Sequence, residues 1–122
     1  MLRFDSLNPG ALGVLGRAAI LRGDFQRGLT LLLKAVDHDK NNAGALTHIG
    51  TIYLFQLGEP TKGVMFLKRL REIEPTDWMV NSNLGAGFAM LKEYPEAIQA
   101  FHRAAELNPD HDFPRYQLGY VF

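Results

Sequence analysis

Leu15-Gly16, Ile49-Gly50, Leu84-Gly85 and Leu118-Gly119 place an aliphatic residue before glycine at intervals of 34, 35 and 34 residues. Other series keep the same step. Gly28, Gly63 and Ala97 follow the first three pairs, then Leu32, Leu67 and Phe101, then Ala35, Leu70 and Ala104, with Lys40, Pro75 and Pro109 closing the units. A period of this length marks a stack of supersecondary units, each too small to bury its own apolar face. The chain is therefore expected to be a solenoid rather than a closed globule.

Each unit reads as two helices. The first begins at a polar cap, at Asn8-Pro9, Asn42-Ala43 and Asp77-Trp78, and ends near Gly23, Gly58 and Lys92-Glu93. The second is expected over 25–37, 60–74 and 95–107, where apolar residues recur at helical spacing. Prolines 9, 60, 75, 95, 109 and 114 all fall at predicted helix starts or junctions, where a missing N–H costs little. No stretch alternates as a strand does, so the fold class is all-α. Gly16, Gly50 and Gly85 are expected to face Gly28, Gly63 and Ala97, because helices pack closest where side chains are smallest. Leu32, Leu67 and Phe101 are expected to fill the space between successive hairpins. One extra residue between Gly50 and Gly58 predicts a local bulge in the second unit.

Composition narrows the function. Thirteen Lys+Arg balance thirteen Asp+Glu, without the basic excess that phosphate-neutralising proteins carry, so nucleic acid is not the expected partner. There is no cysteine, which removes disulfides, thiolate metal sites and thiol nucleophiles. No apolar run reaches the roughly 18 residues of a membrane span. The N-terminus lacks a signal-peptide profile, so with Met1 as the native start a cytoplasmic location is expected. Ser6 and Ser82 lie in no nucleophile elbow, and Gly85-Ala86-Gly87 falls within a helix rather than a phosphate loop. No enzyme activity and no cofactor are expected. The tripeptides Asp37-His38-Asp39 and Asp110-His111-Asp112 invite a metal reading, but stacked helix layers put them ~20 Å apart. They are expected to be solvated junctions, and His48 and His102 partly exposed helix residues.

The third unit carries Leu84-Gly85, Phe88, Ala97, Phe101, Ala104 and Pro109, which counted from Trp78 stand at positions 7, 8, 11, 20, 24, 27 and 32. In this it resembles the tetratricopeptide repeat family. The resemblance covers nearly the whole chain as one domain over 1–122, with repeats at about 9–42, 43–77 and 78–111 and a terminal helix at about 112–122. Departures are Ala19 for an aromatic, Gly28 for alanine and Lys40 for proline in the first repeat. The resemblance implies a right-handed α–α superhelix whose first helices line a concave groove that binds proteins or peptides.

Groove-facing positions implied by the family fall on Gly10, Gly13, Arg17 and Leu21, on Thr47, His48, Thr51, Leu54 and Phe55, and on Met79, Ser82, Asn83, Ala86, Ala89 and Met90. The terminal helix adds Phe113, Tyr116, Gln117 and Tyr120. The candidate binding set drawn from them is Arg17, Leu21, Thr51, Phe55, Met79, Ser82, Asn83, Ala86, Met90, Tyr116 and Tyr120. Phe55, Met79, Ala86, Met90 and Tyr120 are expected to make apolar contact, and Arg17, Thr51, Ser82 and Asn83 to hydrogen-bond the partner. Leu54, Phe55 and Met90 have a second reading as side chains packed between helices. Some family members grip a peptide carboxylate with lysines and arginines, and the third repeat here has neither on that face.

These readings make the chain a protein-interaction module (an adaptor, co-chaperone or assembly scaffold) for an apolar peptide or amphipathic helix. The alternatives are a regulatory or substrate-recognition fragment of a larger enzyme and an RNA-binding helical array. The apolar end, with Tyr116, Leu118, Tyr120, Val121 and Phe122, is expected either to continue into a longer array or to pack on a partner or a second copy.

Overall fold

A computed structural model describes residues 9–109. It contains α1 (Pro9–Leu21), α2 (Phe25–His38), α3 (Ala43–Thr51), a π-helical turn (Ile52–Gln56), α4 (Pro60–Ile73), α5 (Trp78–Met90) and α6 (Tyr94–Leu107). The helices pair as the hairpins α1–α2, α3–α4 and α5–α6, and α2 against α3 and α4 against α5 join one hairpin to the next. No strand occurs among the described residues. The fold is an all-α superhelical stack, and the terminal helix expected at 112–122 lies outside the described residues.

The helix starts follow from capping chemistry. Side-chain oxygens of Asp24, Asn42 and Asp77 accept from the backbone N–H groups of Arg27, Ala45 and Met79 at 3.2, 3.1 and 2.9 Å. Pro60 and Pro95 occupy the first turns of α4 and α6, where no N–H is needed. The hairpin turns use a left-handed residue at Gly23, Gly58 and Lys92, with φ of 83°, 63° and 62°. Glycine adopts this conformation freely, while the lysine of the third turn holds it against its Cβ.

Helix pairs close over glycine. A Cβ on Gly28 would lie 2.9 Å from the Gly16 carbonyl oxygen, and one on Gly63 3.1 Å from that of Gly50. Gly16, Gly50 and Gly85 also receive side chains: an added Cβ would stand 2.9, 2.6 and 2.6 Å from Leu32, Leu67 and Phe101. These three large residues therefore seat over the glycine of their own hairpin, rather than serving only as the expected filling between hairpins. Their burial is nearly complete, at 1%, 0% and 0% exposed. Volume is exchanged across the same crossing. Ile20 and Leu54 reach over Gly28 and Gly63, and where the second helix carries Ala97 instead, the residue equivalent to Ile20 is Ala89.

The extra residue of the second repeat becomes the π turn. Asp24 N–H donates to the Ala19 carbonyl and Glu93 N–H to that of Phe88, each five residues back, at 2.9 and 2.8 Å. In the second repeat Glu59 N–H reaches the Tyr53 carbonyl, six residues back, at 2.7 Å. The insertion is absorbed between Tyr53 and Glu59, and packing on either side keeps the register of the other repeats.

Candidate functional site

The first helices differ from the second in charge. Among the described residues α1, α3 with its π turn, and α5 carry one Lys, Arg, Asp or Glu, which is Arg17. The second helices carry all the rest of the helical charge, for example Lys62, Lys68, Arg69, Arg71 and Glu72 in α4 alone. A face assembled from first helices is thus nearly uncharged, whereas the opposite face is a mixed-charge solvated surface.

Equivalent positions give that face its texture. One position past the residue that fits over the crossing glycine, each first helix leaves a large apolar side chain in solvent. These are Leu21, Phe55 and Met90, at 89%, 53% and 44% exposed. One turn earlier stand Arg17, Thr51 and Ala86, and before them Val14, His48 and Asn83. Met79, at the start of α5, is 53% exposed. The surface is an apolar row on small or uncharged ground.

At its N-terminal end α1 and α3 enclose a pocket of about 190 Å³, with Gly10, Gly13 and Arg17 on one side and Asn42, Gly44 and His48 on the other. Burial and the nearby Arg17 charge hold His48 below its ordinary pKa of 6.5, burial being the larger cause. The folded protein therefore binds the His48 proton less readily than the unfolded chain does. The sign follows: this contribution to stability is intact above 6.5 and is lost as pH falls below it. An NMR titration is expected to give His48 a midpoint under 6.5, which Arg17→Gln raises; an unmoved midpoint would show that the two side chains do not interact.

Several candidate residues stand differently from expectation. Ser82 is 3% exposed, so its hydroxyl, on a side chain one carbon long, stays beneath the surface and cannot meet a partner. Thr51 has spent its donor: Oγ1–H bonds the carbonyls of Thr47 and His48 at 3.0 and 3.1 Å, leaving only acceptor capacity. Leu54 is 1% exposed and belongs to the core, while its neighbour Phe55 and Met90 point into solvent. Asn83 and Ala86 are half-buried, and Ala86 packs on the core. Arg17 is exposed. Tyr116 and Tyr120 lie outside the described residues, as do Phe113 and Gln117.

Val14, 56% exposed, is missing from the candidate set although the repeat register makes it the equivalent of His48 and Asn83. Leu15 is 38% exposed where its equivalents Ile49 and Leu84 are buried, since no described helix precedes α1 to cover it. Asp37, His38 and Asp39 are exposed, and Asp39 accepts from the Asn41 N–H at 3.2 Å. Among the described residues no three His, Asp or Glu side chains converge as a metal site would need, and no helix is long and apolar enough to cross a membrane. The tripeptide Asp110-His111-Asp112 lies outside them.

Residues 78–111 match the tetratricopeptide repeat family. No curated protein matches the sequence. Among solved structures, MamA of strain AMB-1 superposes with a TM-score of 0.88 at 25% identity, over 96% of this chain and 63% of that one. MamA from Desulfovibrio magneticus RS-1 gives 0.88 at 23%, over 93% and 64%. The chain thus spans a little under two thirds of either MamA. The first TPR of Spaghetti (RPAP3), bound to the HSP90 peptide SRMEEVD, gives 0.87 at 19%, over 93% and 90%.

Proposed function

Taking the chain as what its fold and third repeat make it, a tetratricopeptide repeat protein, we propose that it is a non-catalytic interaction module whose first-helix face binds an apolar peptide or the apolar side of an amphipathic helix. The observation that carries this reading is the row Leu21, Phe55 and Met90, exposed at equivalent positions on a face whose described residues hold one charged side chain, Arg17. Repetition gives the row a regular step along the stack, so an extended or helical ligand meets the same chemistry at each repeat. Methionine and phenylalanine adapt to partners of irregular shape and contribute most of the apolar contact area. Arg17, Asn83 and the acceptor side of Thr51 supply polar orientation.

The RPAP3 repeat was solved with a peptide that ends in two glutamates, a valine and an aspartate. Fold alone is shared with it at 19% identity, and the face described here has little cationic charge to hold such an end. The ligand is accordingly apolar rather than acidic.

Selection from a random peptide display library tests the reading. Enriched sequences are expected to carry spaced apolar residues and to lose at least tenfold in affinity on Phe55→Glu or Met90→Glu. Both variants should keep the wild-type helical circular dichroism, because the replaced side chains are already about half in solvent. Met65→Glu, at an equally exposed site on α4, should bind as wild type. Enrichment of acidic peptides, or binding indifferent to Phe55→Glu and Met90→Glu, would overturn it.

A further inference from the structure

Two positions, one on the first helix and one on the second, recur in every repeat, and the third repeat fills both differently. Four residues before the crossing glycine stand Leu12, Leu46 and Asn81, at 0%, 0% and 2% exposed. One residue before the large side chain of the second helix stand Leu31, Phe66 and Ala100. In the second repeat Phe66 stacks on Tyr53, with ring centroids 5.9 Å apart and planes at 13°. The third repeat keeps the aromatic of that pair, as Phe88, but its stacking partner is reduced to Ala100 and the leucine beneath is replaced by an amide. A pocket of about 460 Å³ opens there between α4 and α6.

The amide fixes what the pocket accepts. Asn81 Nδ2 donates to the backbone carbonyls of Pro75 and Asp77, at 3.4 and 3.1 Å, which commits both of its hydrogens and identifies the nitrogen end. Oδ1 has no donor among the described residues and remains the open acceptor of a buried residue that lines the pocket. Arg71 and Arg103 stand at the rim with Glu72 and Glu96, so the charges cancel and an ionic ligand gains little. Guanidinium planes beside an aromatic floor instead favour a flat ring.

We infer that this pocket is a second binding site, on the face opposite the proposed groove, that receives the indole of a tryptophan side chain carried by a partner protein. The ring lies on Phe88 as Phe66 lies on Tyr53, and its N–H donates to Asn81 Oδ1. A partner's side chain is the source, because the pocket opens to solvent, where the backbone that carries the side chain can stay outside while the ring enters.

The test is a ¹⁵N-resolved NMR titration with the capped tripeptide Ala-Trp-Ala. Wild type is expected to shift the Asn81 side-chain amide and backbone amides of 96–103. The same peptide with its indole nitrogen methylated should bind at least tenfold more weakly, and so should free indole. Ala100→Phe and Asn81→Leu restore the second repeat's residues, so each should fold and each should lose the shifts. The proposal is overturned by equal binding of the methylated peptide or of free indole, by shifts that persist in either variant, by shifts confined to α1 and α3, or by none at millimolar peptide. Failure here leaves the first-helix groove untouched, since Phe55 and Met90 do not line this pocket.

Discussion

Gly85→Val is expected to destabilise the protein by about 3 kcal/mol and to lower its thermal midpoint by roughly 10–20 °C, read by circular dichroism. A Cβ at this position would lie 2.6 Å from two Phe101 ring carbons and 2.8 Å from a third. The ring cannot retreat, being fully buried between its own hairpin and the core of the stack. Helix propensity acts the other way, since glycine in a helix interior costs roughly 1 kcal/mol relative to alanine, but the clash is larger. A double-mutant cycle separates the two. Phe101→Ala alone should destabilise by leaving its seat empty, whereas combined with Gly85→Val it should restore part of the lost stability, because the valine occupies the space the ring vacates. A leucine would not relieve the clash, because in the equivalent seat of the second repeat a Cβ on Gly50 would lie 2.6 Å from Leu67. Strict additivity of the two changes would mean that glycine and ring are not in contact and that the crossing is wrongly placed.

This seat explains why so much of the fold is legible in the sequence. A glycine that must be bare, and a large residue that must land on it, recur together every 34 or 35 residues. Caps at Asn42 and Asp77 and the left-handed turns at Gly23 and Gly58 repeat with them, so each repeat corroborates its neighbours. Side chains on the first-helix face answer to no such constraint. Ser82 and Asn83 are adjacent polar residues of similar propensity, and only the packing around α5 decides that one is buried and the other half in solvent. Thr51 reads as a free hydroxyl in sequence, but a helical threonine can always turn its donor back onto its own carbonyls. The inserted residue was visible as a break in register, though not the form it takes, because a bulge, a longer turn and a π turn share one spacing. Asn81 is silent in the sequence for the opposite reason: a lone asparagine in a helix carries no motif, and its meaning comes from the leucines at its two equivalents.

Leu54 and Phe55 put the remaining ambiguity to a direct test, since sequence offers both as apolar residues beside an insertion. Leu54→Ala is expected to cost about 3–5 kcal/mol in urea unfolding, the upper part of the range for a buried leucine. Its Cδ2 lies 2.8 Å from where a Cβ of Gly63 would be and 3.2 Å from that of Gly87, so it is wedged between its own hairpin and the next with glycine on both sides. Neither glycine has a side chain that could relax into the hole, and the cavity term is therefore retained. Phe55→Ala, one residue on and 53% exposed, should change stability by no more than about 0.5 kcal/mol. Binding should reverse the order: Phe55→Ala weakens capture of an apolar peptide at least fivefold, while Leu54→Ala, assayed where it is still folded, binds as wild type. That inversion depends on the π turn holding Leu54 inward and Phe55 outward in the register of Ile20–Leu21 and Ala89–Met90. Equal stability losses at the two positions would mean that Phe55 also packs in the core, and the apolar row would then be broken at its centre.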